Sequence, residues 1–213
     1  MSAYLIALAT AWTAYFILHS ALAAERTKRW VAQHWPNLAP SYRLGFNLVS
    51  LVLLLPILYY LHAWPGPMLW TWEGVWAWLA NGLALAAAAG FLWTLRDYDN
   101  AQFLGLSQRR QGQLRPEQDA RLTISPLHRH VRHPWYFFGL VILWTRNMDA
   151  ALLVSAVVIT LYLWLGSRLE ERKLLHQFGA AYARYCRRVP GLFPLPWRHL
   201  SAQEARELEQ AGQ

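Results

Sequence analysis

The first candidate for chemistry is a short motif, Arg132-His133-Pro134-Trp135-Tyr136 followed by Gly139. Proline is favoured in the first turn of a helix, because its missing N–H would have no partner there. The N–H groups of such a turn attract an anionic group, and the arginine and the histidine add side-chain donors. The tyrosine, one turn further in, could stack on a ligand or donate a hydrogen bond. The same residues could also be a helix start with interfacial anchors and no ligand.

A pair of acidic residues, Glu170 and Glu171, follows the last apolar run of the chain. Acidic side chains oppose the dipole at a helix C-terminus, whereas in a continuing helix they would form a solvated face. Beside the histidine-proline motif they could instead bind ribose hydroxyls or an amino group, or accept a proton. We expect this proximity because the two apolar segments between the groups would run antiparallel, as a hairpin.

Polar residues inside apolar segments form a third group: His19, Ser20, Tyr42, Arg43 and Asn47. Ionisable and amide groups within a membrane span usually face a cavity or a partner. All five would lie toward the same side of a membrane, so they could line one pocket. A simple hydrogen bond between two neighbouring helices, for example from His19 to Asn47, is an equally good reading.

Two patterns typical of other sites are weak here. His128, His130 and His133 are close together, but they lack a helix context and a clear carboxylate ligand, so we predict no metal site. Cys186 is the only cysteine, which excludes an intramolecular disulfide and a cysteine-based metal cluster.

Composition places the chain among membrane proteins. Only 15% of its residues are charged and 55% are hydrophobic, whereas soluble domains carry about 25% charged residues. The formal net charge is +8, but the basic residues lie in loops between apolar blocks. This placement favours membrane topology and lipid headgroups over nucleic acid. We therefore predict the lipid bilayer as a partner and no nucleic-acid partner.

Apolar segments long enough for helices predict an all-α, polytopic membrane protein with about five transmembrane helices. A span needs about 20 mostly apolar residues. The segments cover residues 3–24, 44–63, 75–95, 135–145 and 150–166. The fourth is short, and we expect it to form a helical hairpin with the fifth, which would continue beyond the membrane. One long interrupted segment is the alternative.

Charge placement predicts the orientation. With the N-terminus outside, every Lys and Arg except Arg146 falls on an inner segment. By the positive-inside rule, the C-terminus and the charged end would face the cytoplasm of a bacterial cell. The predicted regions are three N-terminal transmembrane helices (1–95), a cytoplasmic or interfacial connector (96–134), a hairpin with a C-terminal cofactor-binding region (135–200), and a polar, frayed tail (201–213).

Two stretches in the last third, RHPWYFFG and EERKLLHQFGAAYARYCRRVPGLFP, share several fixed spacings with one family. They resemble the membrane methyltransferase superfamily that includes isoprenylcysteine carboxyl methyltransferases and phospholipid methyltransferases. The front of the chain is similar to the branch containing methanethiol S-methyltransferases and related denitrification-associated membrane proteins. That similarity rests on His19-Ser20, Leu22-Ala23, Tyr42-Arg43, Asn47, Phe103, Leu104, Gly105, Leu106 and Gln108.

The resemblance implies S-adenosylmethionine as cofactor, bound at the cytoplasmic ends of the fourth and fifth helices. The implied cofactor-binding residues are His133, Pro134, Tyr136, Gly139, Glu170, Glu171, Tyr182, Tyr185 and Val189. The implied acceptor is a small or lipophilic thiol, which attacks well only when it is ionised. The candidate catalytic residues are His19 as base, Arg43 or Arg132 for the thiolate, and Asn47.

Other functions stay open at this point. Within enzymes, the acceptor could be a lipid amine or an isoprenylcysteine carboxylate, and a sterol reductase-like relative using NADPH is a further reading. The alternative of another class is a non-enzymatic accessory or transport protein built on the same scaffold. Such a protein would have no affinity for the methyl donor.

Overall fold

The computed structural model describes residues 2–95, 101, 104–111 and 121–212, and helix dominates this part of the chain. Strand is limited, in the same residues, to one short antiparallel ribbon of β1 (Met68–Trp70) and β2 (Met148–Asp149). The helices are α1 (Ser2–Ala23), α2 (Glu25–His34), α3 (Tyr42–Ala63), α4 (Gly74–Thr94), α5 (Leu106–Gln111), α6 (Pro134–Trp144), α7 (Ala150–Arg188) and α8 (Ala202–Ala211). The all-α prediction is confirmed.

Within the described residues, four helical stretches are long and apolar enough to cross a membrane: Ala3–Ala23, Ala39–Ala63, Gly74–Thr94 and Ala150–Arg188. The second includes the 3₁₀ turn Ala39–Ser41 that precedes α3. Large apolar side chains point outward from these stretches, and Trp78, for example, is 81% exposed. An apolar surface of this extent is stable only against lipid. The protein is therefore a polytopic membrane protein.

The predicted fourth span is shorter than a full crossing. It forms α6, whose 11 residues measure about 16 Å at the rise of an α-helix. The predicted fifth segment does not end at residue 166 but continues as α7 to Arg188, as its helical spacing indicated. One residue inside α7, Gly179, has non-helical backbone angles (φ 53°, ψ −125°) and marks a kink. Among the residues that the structure describes, four helices thus have the length of a full membrane span, and α6 is a shorter apolar helix.

The chain divides into two compact units. Unit 1 comprises Met1–Thr71, Tyr98–Pro116 and Asn147–Ile159, and unit 2 comprises Trp72–Asp97, Glu117–Arg146 and Thr160–Gln213. In unit 1, α1 packs on α3 around a core that includes Leu8 and Trp12. The Trp12 indole N–H donates to Ser155 Oγ at 2.8 Å, which satisfies both groups inside this core.

Unit 2 contains α6 and the later part of α7. The α6 helix packs on α4, and Gly90 makes this possible because a Cβ there would lie 2.5 Å from the Phe138 ring. The later part of α7 runs antiparallel to α6. Trp144 Nε1 donates to Thr160 Oγ1 at 3.0 Å at one end, and His133 meets Glu171 at the other.

The prediction of a frayed C-terminal tail is wrong. Residues after Ser201 form α8, which begins with a capping box: Glu204 N–H donates to Ser201 Oγ, and Ser201 N–H donates to the Glu204 carboxylate. These hydrogen bonds lower the pKa of Glu204. The apolar side of α8 buries Ala205 and Leu208 in the core of unit 2. The cap and the apolar side together stabilise this helix. The polar composition of the segment alone does not predict it.

The connector is described only in part. Its helix α5 follows Gly105, while Phe103, which we expect to dip into the membrane interface, lies outside the described residues. The α2 helix was not predicted from the sequence. It is a short amphipathic helix that begins two residues after α1 ends.

Candidate active site

A buried ion pair joins Arg132 and Glu171 in unit 2. Arg132 donates from Nε and Nη2 to Glu171 Oε1 at 2.9 and 2.7 Å, and each side chain is 9% exposed. Arg132 Nη1 also donates to the carbonyl oxygens of Cys186, at 3.0 Å, and Val189. A buried charge is tolerated only when it is paired and hydrogen-bonded. Arg132 therefore fastens the segment that leads into α6 to the end of α7.

His133 completes this network. Its Nε2 lies 3.1 Å from Glu171 Oε1, and its Nδ1 lies 3.5 Å from Glu170 Oε2. Because a carboxylate only accepts, Nε2 carries a proton in this hydrogen bond. The imidazole stacks on the Tyr136 ring at 5.2 Å with an interplanar angle of 9°. The position of Tyr136 thus depends, through His133, on the buried Glu171.

The two predicted glutamates have different surroundings. Glu171 accepts three hydrogen bonds on one oxygen, and its second oxygen lies 3.8 Å from Arg168 Nη1. The Glu170 side chain is 51% exposed and approaches His133 with one oxygen. Glu171 is therefore the internal counter-ion of the network, and Glu170 is the carboxylate that a ligand can reach.

The backbone after α7 fixes the same corner. Arg132 N–H donates to Pro190 O at 2.9 Å, and His133 N–H donates to Gly191 O at 3.1 Å. A Cβ on Gly191 would lie 3.3 Å from Arg132 Nη2 and 3.5 Å from Glu171 Oε1. Gly191 was missed by sequence reasoning, although the Val-Pro-Gly run directly after a helix end was a signal for a tight turn.

The first turns of α6 leave space for a ligand. Pro134 occupies the first turn and is buried, as the motif predicted. A Cβ on Gly139 would meet no other atom within 4 Å, so the surface above this glycine is open. The Tyr136 hydroxyl lies 4.0 Å from the position of a Cβ on Gly166. Tyr136 and Gly139 are one turn apart and therefore share a face of α6.

Tyr182, Tyr185 and Val189 lie in the hydrophobic core of unit 2, and none is more than 3% exposed. The Tyr185 hydroxyl donates to His128 O at 2.7 Å, and its ring packs edge-to-face on Tyr182. In this structure the three residues support the segment that carries His133. Their contact with a cofactor stays a prediction.

The front-half candidates lie in unit 1. The His19 ring packs between Phe46, at 5.0 Å, and Tyr15, at 5.8 Å. The Tyr42 hydroxyl donates to Leu22 O at 2.7 Å, which ties the start of α3 to the end of α1. His19 and the first turns of α3 are thus at the same end of this helix pair.

The segment before α5 docks on that end of α3. Asn47 Nδ2 donates to Leu104 O at 3.3 Å. Gly105 has a φ of 88°, and a Cβ there would lie 2.7 Å from Leu44 N and 3.0 Å from Arg43 Cβ. Arg43 and Asn47 therefore share one local environment with Gly105. This contact explains physically why glycine stands in the predicted Leu-Gly-Leu motif.

The histidines of the connector have separate partners. His128 Nδ1 lies 2.9 Å from Ser125 Oγ, and His130 stacks on His199 at 5.6 Å. Burial, with smaller contributions from His199 and Arg129, lowers the pKa of His130. His133 points instead to the glutamates.

Comparison with known proteins gives a consistent set of relatives. The methanethiol S-methyltransferase 2 of Bradyrhizobium diazoefficiens is 31% identical over 182 residues, covering 84% of this chain and 69% of the relative. The methanethiol S-methyltransferase of Pseudomonas deceptionensis is 30% identical over 213 residues, covering 90% and 73%. The protein of the same name from Mycobacterium tuberculosis is 28% identical, covering 87% and 76%. No protein-family model and no solved structure matches the chain.

Proposed function

The chain belongs to the methanethiol S-methyltransferase family, and we propose that it transfers a methyl group from S-adenosylmethionine to a small or lipophilic thiol. The observation that supports this proposal is the buried network of Arg132, His133 and Glu171, which holds Tyr136 and Glu170 at the start of α6. We place this site on the cytoplasmic side of the membrane. The Lys and Arg residues flank the ends of the spans at which the site lies, and basic residues mark the ends that face the cytoplasm.

The donor set at the start of α6 fits S-adenosylmethionine. The first turn of the helix, with Pro134 at its start, suits the carboxylate of the ligand. Glu170, half-exposed beside His133, suits the ammonium group or the ribose hydroxyls. The face of Tyr136 suits a cation. The open surface above Gly139 provides room on the face of α6 that carries Tyr136.

When bound, S-adenosylmethionine supplies an electrophilic methyl group on a sulfonium centre. The contribution of the protein is to align the reacting groups, since an in-line displacement depends strongly on orientation. The buried Arg132–Glu171 pair fixes His133, and His133 in turn fixes Tyr136. This order of contacts pre-organises the binding surface before any ligand arrives.

The acceptor thiol must lose its proton to attack well. We propose His19 as the base, Arg43 as the cation that stabilises the thiolate, and Asn47 as an orienting group. The Arg132 guanidinium is engaged by Glu171 and two carbonyl oxygens. We therefore assign Arg132 a positioning role rather than contact with the thiolate.

The test uses the full-length protein purified in detergent. Calorimetric titration is expected to show binding of S-adenosylmethionine and S-adenosylhomocysteine but not of NADPH. Radiolabelled donor is then offered with methanethiol, longer thiols, a prenylcysteine and phosphatidylethanolamine. We expect label in the thiol products. A folded protein that binds neither the donor nor its demethylated product, or that labels only the prenylcysteine or the lipid, contradicts the proposal.

A further inference from the structure

The amphipathic helix α2 is held at the membrane surface by its position in the chain. It lies between two membrane-spanning stretches, Ala3–Ala23 and Ala39–Ala63. Residues 24–38 are too few to carry it far from the bilayer, since each span ends at the interface. Its attachment to α1 is firm: Thr27 Oγ1 donates to Ala21 O at 2.6 Å, and Val31 is buried.

The charges of α2 are divided between two environments. Lys28 forms an ion pair with Glu25 at 2.6 Å, so these two side chains neutralise each other. Arg26 and Arg29 are exposed, and within the described residues neither side chain has an ion pair or a hydrogen bond. They are one turn apart and point to the same side. The helix thus presents two adjacent guanidinium groups that are not paired with any carboxylate of the described residues.

Aromatic rings flank these cations. Trp30 is 47% exposed, stacks on His34 at 4.8 Å and packs edge-to-face on Trp35 at 4.9 Å. Trp35 is itself 50% exposed. Tryptophan rings at this depth favour the headgroup region of a bilayer, where the ring is apolar and the indole N–H is hydrated. The aromatic cluster therefore orients the exposed arginines toward lipid headgroups.

A surface hollow of about 550 Å³ lies on the same side of α2, lined by Arg26, Thr27, Arg29, Trp30 and Gln33. We propose that this hollow binds the phosphate of an anionic phospholipid headgroup. Guanidinium groups bind phosphate oxygens through two parallel hydrogen bonds. The arginines would supply this contact, and Gln33 and Thr27 add polar groups at the rim. The hollow shares no residue with the proposed donor-binding set. A lipid bound there would hold the enzyme in anionic regions of the membrane and would not use the residues proposed to bind the donor.

The test measures lipid preference directly. Full-length protein is reconstituted with equal amounts of phosphatidylglycerol and phosphatidylcholine, repurified in mild detergent, and the retained lipid is quantified by mass spectrometry. Wild type is expected to retain an excess of phosphatidylglycerol. In the Arg26→Gln/Arg29→Gln variant this excess should fall by a factor on the order of ten, because each cation near an anionic surface contributes to the free energy of lipid binding. An unchanged excess overturns the proposal.

Two matched variants make the result specific. Arg184→Gln/Arg187→Gln removes the same charge at the same spacing, but these arginines lie beside Glu204 and Glu207; it should keep the excess. Arg26→Lys/Arg29→Lys keeps the charge but loses the paired guanidinium hydrogen bonds, so it should retain only part of the excess. Equal loss in the Arg184→Gln/Arg187→Gln variant overturns the proposal, because it would indicate a net-charge effect. An undiminished excess in the Arg26→Lys/Arg29→Lys variant also overturns it, because it would indicate a general attraction of cations to anionic lipid. Displacement of the lipid by millimolar inorganic phosphate would also overturn it, in favour of a site for soluble anions.

Discussion

Glu170 and Glu171 are adjacent in the chain and nevertheless have different tasks. A helix turns by about 100° per residue, so neighbours point to different surroundings. Glu171 faces inward and accepts hydrogen bonds from Arg132 and His133, whereas the Glu170 side chain is 51% exposed. At the scale of single residues, one glutamate stabilises the site and the other is available to a ligand.

Replacing Glu171 should destabilise the folded protein. In Glu171→Ala, Arg132 remains buried without its counter-ion, and the loss of one partner of a buried pair costs about 3–5 kcal/mol. We expect a clear decrease in the thermal unfolding temperature in detergent, together with loss of donor binding. An unfolding temperature equal to that of wild type would show that the pair does not hold this corner of the fold.

Replacing Glu170 should affect binding and leave stability unchanged. In Glu170→Gln the half-exposed charge is lost, and a charged hydrogen bond contributes about 1.5–3 kcal/mol. The dissociation constant for S-adenosylmethionine should therefore rise at least about tenfold, as measured by calorimetry. Arg172→Gln, an exposed change of one charge at a nearby position of α7, is the control and should bind as wild type does. Tight binding by the Glu170→Gln variant would remove Glu170 from the site.

At the scale of elements, short motifs are explained by how helices and loops meet. Gly105 is in the left-handed region because the segment before α5 passes directly over the first turn of α3. Asn47 fastens the same segment through Leu104 O. The predicted Leu-Gly-Leu motif is thus a docking contact in unit 1, where it shapes the surroundings of Arg43. The sequence indicated the motif but not its contact, because Gly105 and the residues that it meets, Arg43 and Leu44, are far apart in the chain.

Adding a side chain at Gly105 should disturb this docking. In Gly105→Ala, the Cβ would meet backbone at 2.7 Å and the φ of 88° would be strained, a cost of about 1–3 kcal/mol. We expect a lower unfolding temperature and reduced methyl transfer to methanethiol. Gly82→Ala, in the middle of α4 with nothing within 4 Å of the new Cβ, is the control and should not lower the unfolding temperature. Equal behaviour of the two variants would contradict the docking role.

At the scale of the whole molecule, the membrane decides which surfaces are stable. The apolar side chains that α3 and α4 expose require lipid around them, and in the described part of the chain four helices have the length to cross a bilayer. Polar and charged residues gather at the ends of these helices. The orientation that we propose follows from the Lys and Arg distribution. It predicts which positions of the chain a reagent can reach from outside the cell.

Cysteine labelling on intact cells should report this orientation. In a Cys186→Ser background, a single cysteine replaces Asn147, between α6 and α7, or Gln203, in α8; both positions are exposed. A membrane-impermeant maleimide should label the cysteine at position 147 on whole cells and the one at 203 only after the membrane is opened. The reverse pattern would place the donor site on the outer side.

The sequence alone determined the membrane class, the approximate spans, the hairpin and the family resemblance. These features depend on local composition, on segment length and on fixed spacings such as Arg-His-Pro, all of which can be read along the chain. Only the tertiary structure decided that Arg132 is engaged by Glu171 and the carbonyl oxygens of Cys186 and Val189, that Tyr182 lies in the core, and that the tail forms α8. The physical reason is that burial and hydrogen bonding depend on partners distant in sequence, whose positions exist only once the helices have packed.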